Sequence, residues 1–168
     1  TTNTDATNFN LIHSNSTISS GSINRSTYTD VSPQGTSSQF NSNSLVITAD
    51  QMISGASYAD SNGNCAAPFL PTSLMRTNYA INTASDWVAF ASKQAGTIEV
   101  RNAANTIVQT LTLTRSGGNA NAPYKAYLSN PGSGYRFFAT VPVAGWYQPN
   151  NDTGGADQDE TILYGTDL

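Results

Sequence analysis

The chain has 168 residues, 7 basic and 11 acidic, so its charged fraction is only 11% and its net charge is −4. A typical soluble domain is about 25% charged; here Asn, Ser and Thr fill the difference and together make 59 residues. The sequence shows neither the basic patch of a nucleic-acid binder nor an apolar run approaching the roughly 20 residues that cross a bilayer. We therefore expect no nucleic-acid partner and no membrane partner.

The first 44 residues are the most polar part of the chain, because 26 of them are Asn, Ser or Thr. Such a segment buries too little apolar area to offset its ordering entropy alone. We predict an extended polar N-terminal arm over residues 1–44, ordered on its own body or on a neighbouring subunit; a floppy tail is the alternative. Its predicted interface anchors are Phe9, Leu11, Ile12, Ile18 and Ile23.

Residues 45–168 are predicted to form a β-sandwich domain, with a long irregular loop within 45–78 and one helical turn around Ser73–Arg76. Short β-rich runs recur at intervals typical of antiparallel strands. Because no helical period of ten or more residues stands out, the pattern indicates an all-β, antiparallel β-sandwich or jelly-roll-like fold. The predicted strands are Leu45–Ile47, Tyr79–Ile81, Trp87–Ala91, Thr97–Arg101, Ile107–Thr114, Tyr124–Leu128, Tyr135–Pro142 and Thr161–Tyr164.

Local patterns add four expectations about this domain. Leu111 and Leu113 alternate with threonines, which is typical of a half-buried strand. Asn102–Asn105 reads as a tight hairpin turn. Glu99 and Arg101 are expected to form a surface ion pair. Trp87 and Phe90 are expected in the core.

Residues for catalysis are scarce. His13 is the one histidine and Cys65 the one cysteine, so a nucleophile–base pair would have to use that histidine and a zinc site would be short of ligands. A glycosidase needs two opposed carboxylates, and the sequence does not pair any. We expect no enzymatic activity and no catalytic residues.

Four carboxylates lie close together in an Asn- and Gly-containing segment, and they are Asp152, Asp157, Asp159 and Glu160. Hard oxygen ligands on such a loop suit Ca²⁺, although the spacing does not match an EF-hand. The segment is a candidate calcium site, and a solvated acidic loop is the alternative. No other cofactor is expected.

Trp146 and Tyr147 follow a predicted strand and form a candidate contact for a glycan or receptor. Exposed aromatic rings on a sheet stack on sugar rings. The alternative is packing in a core or an interface, where Trp and Tyr are also frequent.

The order of motifs over residues 86–165 resembles β-rich virion structural proteins of tailed bacteriophages. The resemblance covers about half of the chain: a Trp-Val-Ala-Phe strand, a Gly-Thr-Ile-Glu-Val hairpin, Thr-Leu-Thr-Leu-Thr, Tyr-Arg-Phe-Phe-Ala-Thr-Val-Pro-Val-Ala-Gly-Trp-Tyr and a closing Asp-Glu-Thr-Ile-Leu-Tyr-Gly. It implies a decoration, cement, neck or tail-associated subunit that forms trimers or higher oligomers and is made in the host cytoplasm without a signal peptide. It implies no catalytic residues.

Surface composition favours the same function, because a hydroxyl- and amide-rich surface hydrogen-bonds without the cost of burying ions. We therefore expect a structural subunit in the virion that contacts copies of itself, first as a trimer, and other virion proteins. Two alternatives stay open. One is a subunit of an extracellular filament or surface layer joined by donor strands, and the other is a carbohydrate- or receptor-binding module.

Overall fold

A computed structural model of the chain describes residues 1–13, 18–29, 45–59, 65–115, 123–149 and 161–165. The fold is all-β and sandwich-like, with antiparallel sheets, as the sequence predicts. Internal contacts divide the chain into two compact units. The first contains Thr1–Gly55 and Arg115–Pro123, and the second contains Ala56–Thr114 and Tyr124–Leu168.

The first unit is built on a three-stranded antiparallel sheet of β1 (Thr7–His13), β2 (Ile18–Ile23) and β3 (Leu45–Ala49), in the order β2-β1-β3. The sequence suggested one extended arm, whereas β1 and β2 pair with each other and β3 joins them. Alternation explains the pairing, since Phe9, Leu11 and Ile23 fall on one face and are all buried. The division at residue 44 and the docking role of the arm stay predictions.

Hydroxyl groups add a polar layer to this unit. Thr7 is fully buried, and its Oγ1 donates to the Thr4 carbonyl at 3.0 Å. The Oγ1 atoms of Thr2 and Thr7 lie 2.9 Å apart, and Thr2 Oγ1 also donates to the Met52 carbonyl at 3.1 Å. Buried hydroxyls are tolerated only when they are hydrogen-bonded, so these contacts explain why threonines occupy the interior.

The described part of the second unit contains the remaining strands and one 3-10 turn, Thr72–Leu74, which overlaps the helical turn predicted around Ser73–Arg76; Arg76 itself begins a strand. The strands are β4 (Ala56–Ala59), β5 (Cys65–Pro68), β6 (Arg76–Ala80), β7 (Ser85–Ser92), β8 (Gly96–Arg101), β9 (Ile107–Leu113), β10 (Tyr124–Ser129), β11 (Arg136–Pro149) and β12 (Thr161–Leu163). Strands β4 and β5 pair with each other and lie in the segment that was predicted to be an irregular loop.

Strand β11 organises the main sheet, because its two halves pair with different neighbours. Its first half lies between β8 and β6, and its second half lies between β7 and β12. Strand β9 extends the first half-sheet from β8, and β10 extends the second from β7. The result is a strongly bent sheet whose two halves face each other, with the order β10-β7-β11-β8-β9 along its main path.

Aromatic side chains fill the space between the two half-sheets. The ring of Phe90 on β7 lies 5.1 Å from that of Phe137 on β11 and 5.9 Å from that of Tyr79 on β6, measured between centroids. Ile98 and Val100 alternate inward from β8 and are fully buried. Phe90 is thus in the core, as predicted.

Gly145 allows the second half-sheet to close on its neighbours. A Cβ atom at this position would lie 3.0 Å from Leu163 Cδ1 and 3.1 Å from Phe90 Cε1. A side chain here would require Leu163 and Phe90 to shift by a few tenths of an ångström, so a glycine at this inward position favours tight packing.

Candidate functional site

The outward face of β7, β10 and β11 carries an aromatic surface. Residues paired across antiparallel strands point to the same face. Tyr127 and Trp146 both pair with Ala89, and they therefore share the face opposite the core. Tyr147 is the next residue along β11, so it points to the other side and packs against the core cluster.

Trp87 joins this outward face, where it stacks on Tyr127 with ring centroids 6.3 Å apart and an interplanar angle of 28°. Its indole N–H donates to Oε1 of Gln148, whose amide nitrogen is 3.3 Å from Asp86 Oδ2. The prediction that Trp87 lies in the core is wrong, because the register places it on the opposite face, where it is half-buried.

This arrangement fixes the orientation of the aromatic rings. The hydrogen bond from Trp87 to Gln148 and the stack with Tyr127 limit ring rotation, and Tyr127 remains 57% exposed. A partly exposed, held aromatic pair with amide and carboxylate groups beside it suits stacking and hydrogen bonding to a partner. We call Trp87, Tyr127 and Trp146 the aromatic face.

The outer edge of β9 is a second surface, and its hydrogen-bonding direction follows from one contact. Thr97 on β8 donates its N–H to Thr140 Oγ1 at 2.9 Å, so this amide points to β11 and away from β9. Amides alternate along a strand, so Ile98 and Val100 bond to their partners Leu111 and Gln109.

The main-chain groups of Thr110 and Thr112 therefore point away from β8. Thr114 obeys the same alternation, because it exchanges two hydrogen bonds of 2.9 and 2.8 Å with Lys125 at the start of β10. Strands β9 and β10 lie close to each other around this bridge, which nearly closes the sheet into a barrel. Among the described residues, β9 pairs with no strand other than β8.

The composition of this strand is uncharged and mixes apolar residues with threonines. Residues 107–114 read Ile-Val-Gln-Thr-Leu-Thr-Leu-Thr and contain no charge and no proline. Ile107 is 52% and Val108 45% exposed, while Leu111 and Leu113 turn inward and are buried as predicted. The strand is held in place by the turn at Asn102–Asn105, where the Asn105 N–H donates to the Asn102 carbonyl at 2.9 Å. The predicted hairpin is thereby confirmed.

The predicted ion pair is also present on the outward side of β8. Arg101 Nε donates to Glu99 Oε1 at 2.6 Å, and the guanidinium lies 5.3 Å from the centre of the Phe138 ring. Both charged side chains are about one-third exposed. Because these two opposite charges are paired, they contribute little electrostatic field to the surface beside β9.

Among the described residues of the second unit, Tyr79 and Lys125 have shifted pKa values. Burial raises the pKa of the Tyr79 phenol, which donates to the Val143 carbonyl and accepts from the Arg76 N–H. Burial lowers the pKa of Lys125, the residue whose main chain closes the bridge to Thr114.

The other predicted site residues are placed as follows. Phe9, Leu11 and Ile23 are buried in the isolated chain, so in this conformation they offer a neighbouring subunit little surface. The side chains of Ile12 and Ile18 lie outside the described part, and so do the candidate calcium ligands Asp152, Asp157, Asp159 and Glu160. In the described ranges, no group of three or more His, Cys, Asp or Glu side chains could hold a metal ion.

A shallow depression of about 200 Å³ lies near the end of β7, lined in part by Met75, Lys93 and Pro142. Ligand pockets begin at about 300 Å³, so this depression is small for an organic ligand.

Sequence reasoning missed Tyr127 and the outer edge of β9 as surface features. For Tyr127 a signal was present, since Tyr-Lys-Ala-Tyr-Leu-Ser alternates and an inward Ala126 sends Tyr127 outward. For β9, the lack of charge over eight residues was visible, but the position of the strand at a sheet edge was not.

No protein-family model, curated protein or solved structure matches this chain. Over the described residues, no helix is both long and apolar enough to traverse a lipid bilayer.

Proposed function

We propose that this chain is a non-enzymatic structural subunit of a large assembly, and specifically a decoration, cement or tail-associated protein of a phage virion. The observation that carries the proposal is the neutral, partly apolar surface of the second unit along the outer strands. Two features contribute to it: the β9 strand with exposed Ile107 and Val108, and the aromatic face with exposed Tyr127.

Charge distribution supports contact with other protein. The cores of protein interfaces are depleted of charged residues and enriched in aromatic ones. A subunit that stays apart from its copies usually depends on surface charge for solubility, and this chain has an 11% charged fraction. Its surface is therefore better suited to being covered in an assembly than to free solution.

Strand edges supply a second line of support. Natural proteins protect long edge strands with charges, prolines or covering segments, since an open edge pairs with other strands. Strand β9 has neither charge nor proline. Among soluble proteins this combination is compatible with an edge that is covered after assembly.

In the proposed role, copies of the chain and other virion proteins are its partners, and the virion is its location after synthesis in the host cytoplasm. A subunit of an extracellular filament or surface layer would bury the same surfaces against its neighbours outside the cell. The gene sequence distinguishes the virion role from this alternative, since a signal peptide encoded upstream of Thr1 favours the extracellular one.

The aromatic face favours a second candidate function, which is recognition of a glycan or receptor. It holds a stacked Trp87–Tyr127 pair together with Trp146, and it replaces the predicted Trp146–Tyr147 contact because Tyr147 packs inward. A glycan array tests this candidate. Loss of a signal in Tyr127→Ala but not in Tyr147→Phe supports it, and no signal for the wild-type chain opposes it.

The structural function is tested by the native mass of the protein and by its presence on particles. Sedimentation velocity should show species that are multiples of the 17.7 kDa chain, and antibodies against the chain should label virions purified from the source material. A monomer at every concentration, together with unlabelled particles, would contradict the proposal.

A further inference from the structure

We propose that the aromatic face, together with Asp86, binds a neutral oligosaccharide, with a sugar ring stacked on Tyr127 and its hydroxyl groups hydrogen-bonded to the Asp86 carboxylate. The inference rests on the second candidate function above, because it names the ligand class of that same surface. The structural function keeps its own test, since a subunit can be held in an assembly through other surfaces.

A β-bulge in β7 turns Asp86 toward the aromatic face. The register of β7 with β11 shifts between Gln148 and Pro149, which leaves Asp86 as an extra residue of β7. Its main chain stays fixed, because its carbonyl accepts from the Asn130 N–H at 2.8 Å. Bulges re-aim side chains and are frequent next to active sites. This bulge places a carboxylate beside the half-buried Trp87, which lies on the outward face.

Gln148 holds the carboxylate and the indole ring in one arrangement. Its side chain is buried, its Oε1 accepts from the Trp87 indole N–H, and its amide nitrogen donates to Asp86 Oδ2 at 3.3 Å. Both ends of this buried amide are therefore hydrogen-bonded, as burial requires. The other carboxylate oxygen, Asp86 Oδ1, has no hydrogen-bond donor among the described residues, so it can accept from the hydroxyl groups of a ligand.

A small residue between two aromatic side chains leaves room for a sugar ring. Ala89 on β7 pairs with Tyr127 on one side and with Trp146 on the other, and it is partly exposed. Trp87 stacks on Tyr127 at one end of this position. The exposed ring of Tyr127 thus stands beside a low alanine, where the apolar face of a sugar can lie against it.

The charges of this face are balanced, which indicates a neutral ligand. In β7, β10 and the second half of β11, the charged residues are Asp86 and Lys125. Lys125 shares its side of β10 with Tyr127 and lies at the end of the face away from Asp86. Its ammonium group opposes a cationic ligand, and the chain's net charge of −4 disfavours an anionic one. A neutral polyol meets an acceptor at one end and a donor at the other.

The size of the face favours a small ligand over another protein. From Lys125 to Ser129 it extends about 13 Å along β10, and from β10 to β11 it extends about 10 Å. The resulting area is on the order of 130 Å², far below the roughly 800 Å² that each partner covers in a standard protein interface. A short row of sugar rings matches this area, with apolar C–H faces for the aromatic rings and hydroxyl groups for the polar ends.

The intrinsic fluorescence of the full-length protein tests the proposal. Both tryptophans of the chain, Trp87 and Trp146, lie on this face, so their emission reports binding there. The protein is titrated with the neutral trisaccharides maltotriose, cellotriose, mannotriose and galactotriose, and with sialyllactose as the acidic probe. At least one neutral trisaccharide should change the emission saturably, with an affinity at least tenfold higher than that of sialyllactose.

Substitutions locate the binding site. Tyr127→Ala and Asp86→Ala should each lower the affinity at least fivefold, since the first removes the stacking ring and the second removes the acceptor. Tyr127 is exposed, so its variant should fold, which circular dichroism checks; Tyr127→Leu keeps apolar volume without the ring and should bind as weakly. Phe138→Ala is the matched control, because it removes a ring near Arg101 on the other half-sheet, and it should bind like the wild type.

Each other outcome overturns the inference in a distinct way. Wild-type affinity in the Tyr127 and Asp86 variants, or a loss in folded Phe138→Ala, would place the binding elsewhere. A response to sialyllactose alone would reject the neutral class and leave the recognition function standing. No response to any sugar would reject both, and emission that then changes with protein concentration alone would assign the face to a second copy. The structural function is decided separately, by the native mass and the labelling of particles.

Discussion

The two units are stabilised by different chemistry. In the first unit, a small apolar face with Phe9 and Leu11 lies beside hydrogen-bonded threonine hydroxyls. In the second, rings of Phe90, Phe137 and Tyr79 meet between two half-sheets. Burial of apolar area is the main stabilising term in folding, so the second unit should resist opening more strongly, while the first should depend on a few polar contacts.

The largest effect is expected from Phe137→Ala in the aromatic core. Phe137 is fully buried and touches Phe90, so the variant should lose about 3–5 kcal/mol of unfolding free energy. Urea unfolding followed by tryptophan fluorescence measures it. The neighbouring Phe138→Ala is the control, because that ring lies on the outward face near Arg101. Equal losses in the two variants would show that the core is misplaced.

A smaller effect is expected from Thr7→Val in the first unit. Valine keeps the shape but removes a buried hydroxyl, which leaves the Thr4 carbonyl without this donor at a cost of about 1–3 kcal/mol. Hydrogen exchange of the β1 amides should accelerate while that of β7 stays unchanged. Thr48→Val, at an exposed position of β3, should change neither, and an equal response to both substitutions would reject the polar-layer account.

Alkaline pH should weaken the second unit through Tyr79. Its folded pKa is raised by burial, so the protein gives up stability as pH rises above about 10, the pKa of an unfolded tyrosine. Lys125 acts in the opposite direction, because its folded pKa is lowered, and a Lys125→Met background removes that contribution. In the Lys125→Met background, the free energy of unfolding should fall between pH 8 and 11. The fall should be less steep when Tyr79 is also replaced by Phe. Identical slopes would contradict the assignment.

The smallest effect is expected on the outward face, from the ion pair between Glu99 and Arg101. Exposed pairs contribute about 0–1 kcal/mol, and this one is about one-third exposed. A double-mutant cycle with Glu99→Gln and Arg101→Met should give a small coupling that decreases with added salt. A coupling as large as the loss in Phe137→Ala would mean that the outer face stabilises the unit as much as the core does.

The sequence was informative wherever the strand period was uninterrupted. Alternation predicted the burial of Leu111 and Leu113, and turn residues predicted the hairpin at Asn102–Asn105. Trp87 was misplaced because hydrophobicity alone does not tell which face of a strand is inward, and one residue of register inverts every side chain.

The surfaces were less predictable than the core. Pairing of β1 with β3 depends on contacts between segments far apart in sequence, and the polar composition of residues 1–44 concealed the pairing of β1 with β2. The aromatic face combines β7, β10 and β11, so no local pattern could have assembled it. The position of β9 at the end of the strand order is a property of the sheet, which only the tertiary structure reveals.

The central claim is that the outer strands of the second unit are covered by other copies of the chain, and hydrogen exchange tests it most directly at Thr110 and Thr112. Their amides should exchange rapidly in dilute solution and become protected as concentration rises, whereas the Gln109 and Leu111 amides, bonded to β8, should be protected throughout. Rapid exchange of Thr110 and Thr112 at every concentration and in assembled particles would contradict the account. Equal protection at every concentration would contradict it as well, since β9 would then be paired within its own chain.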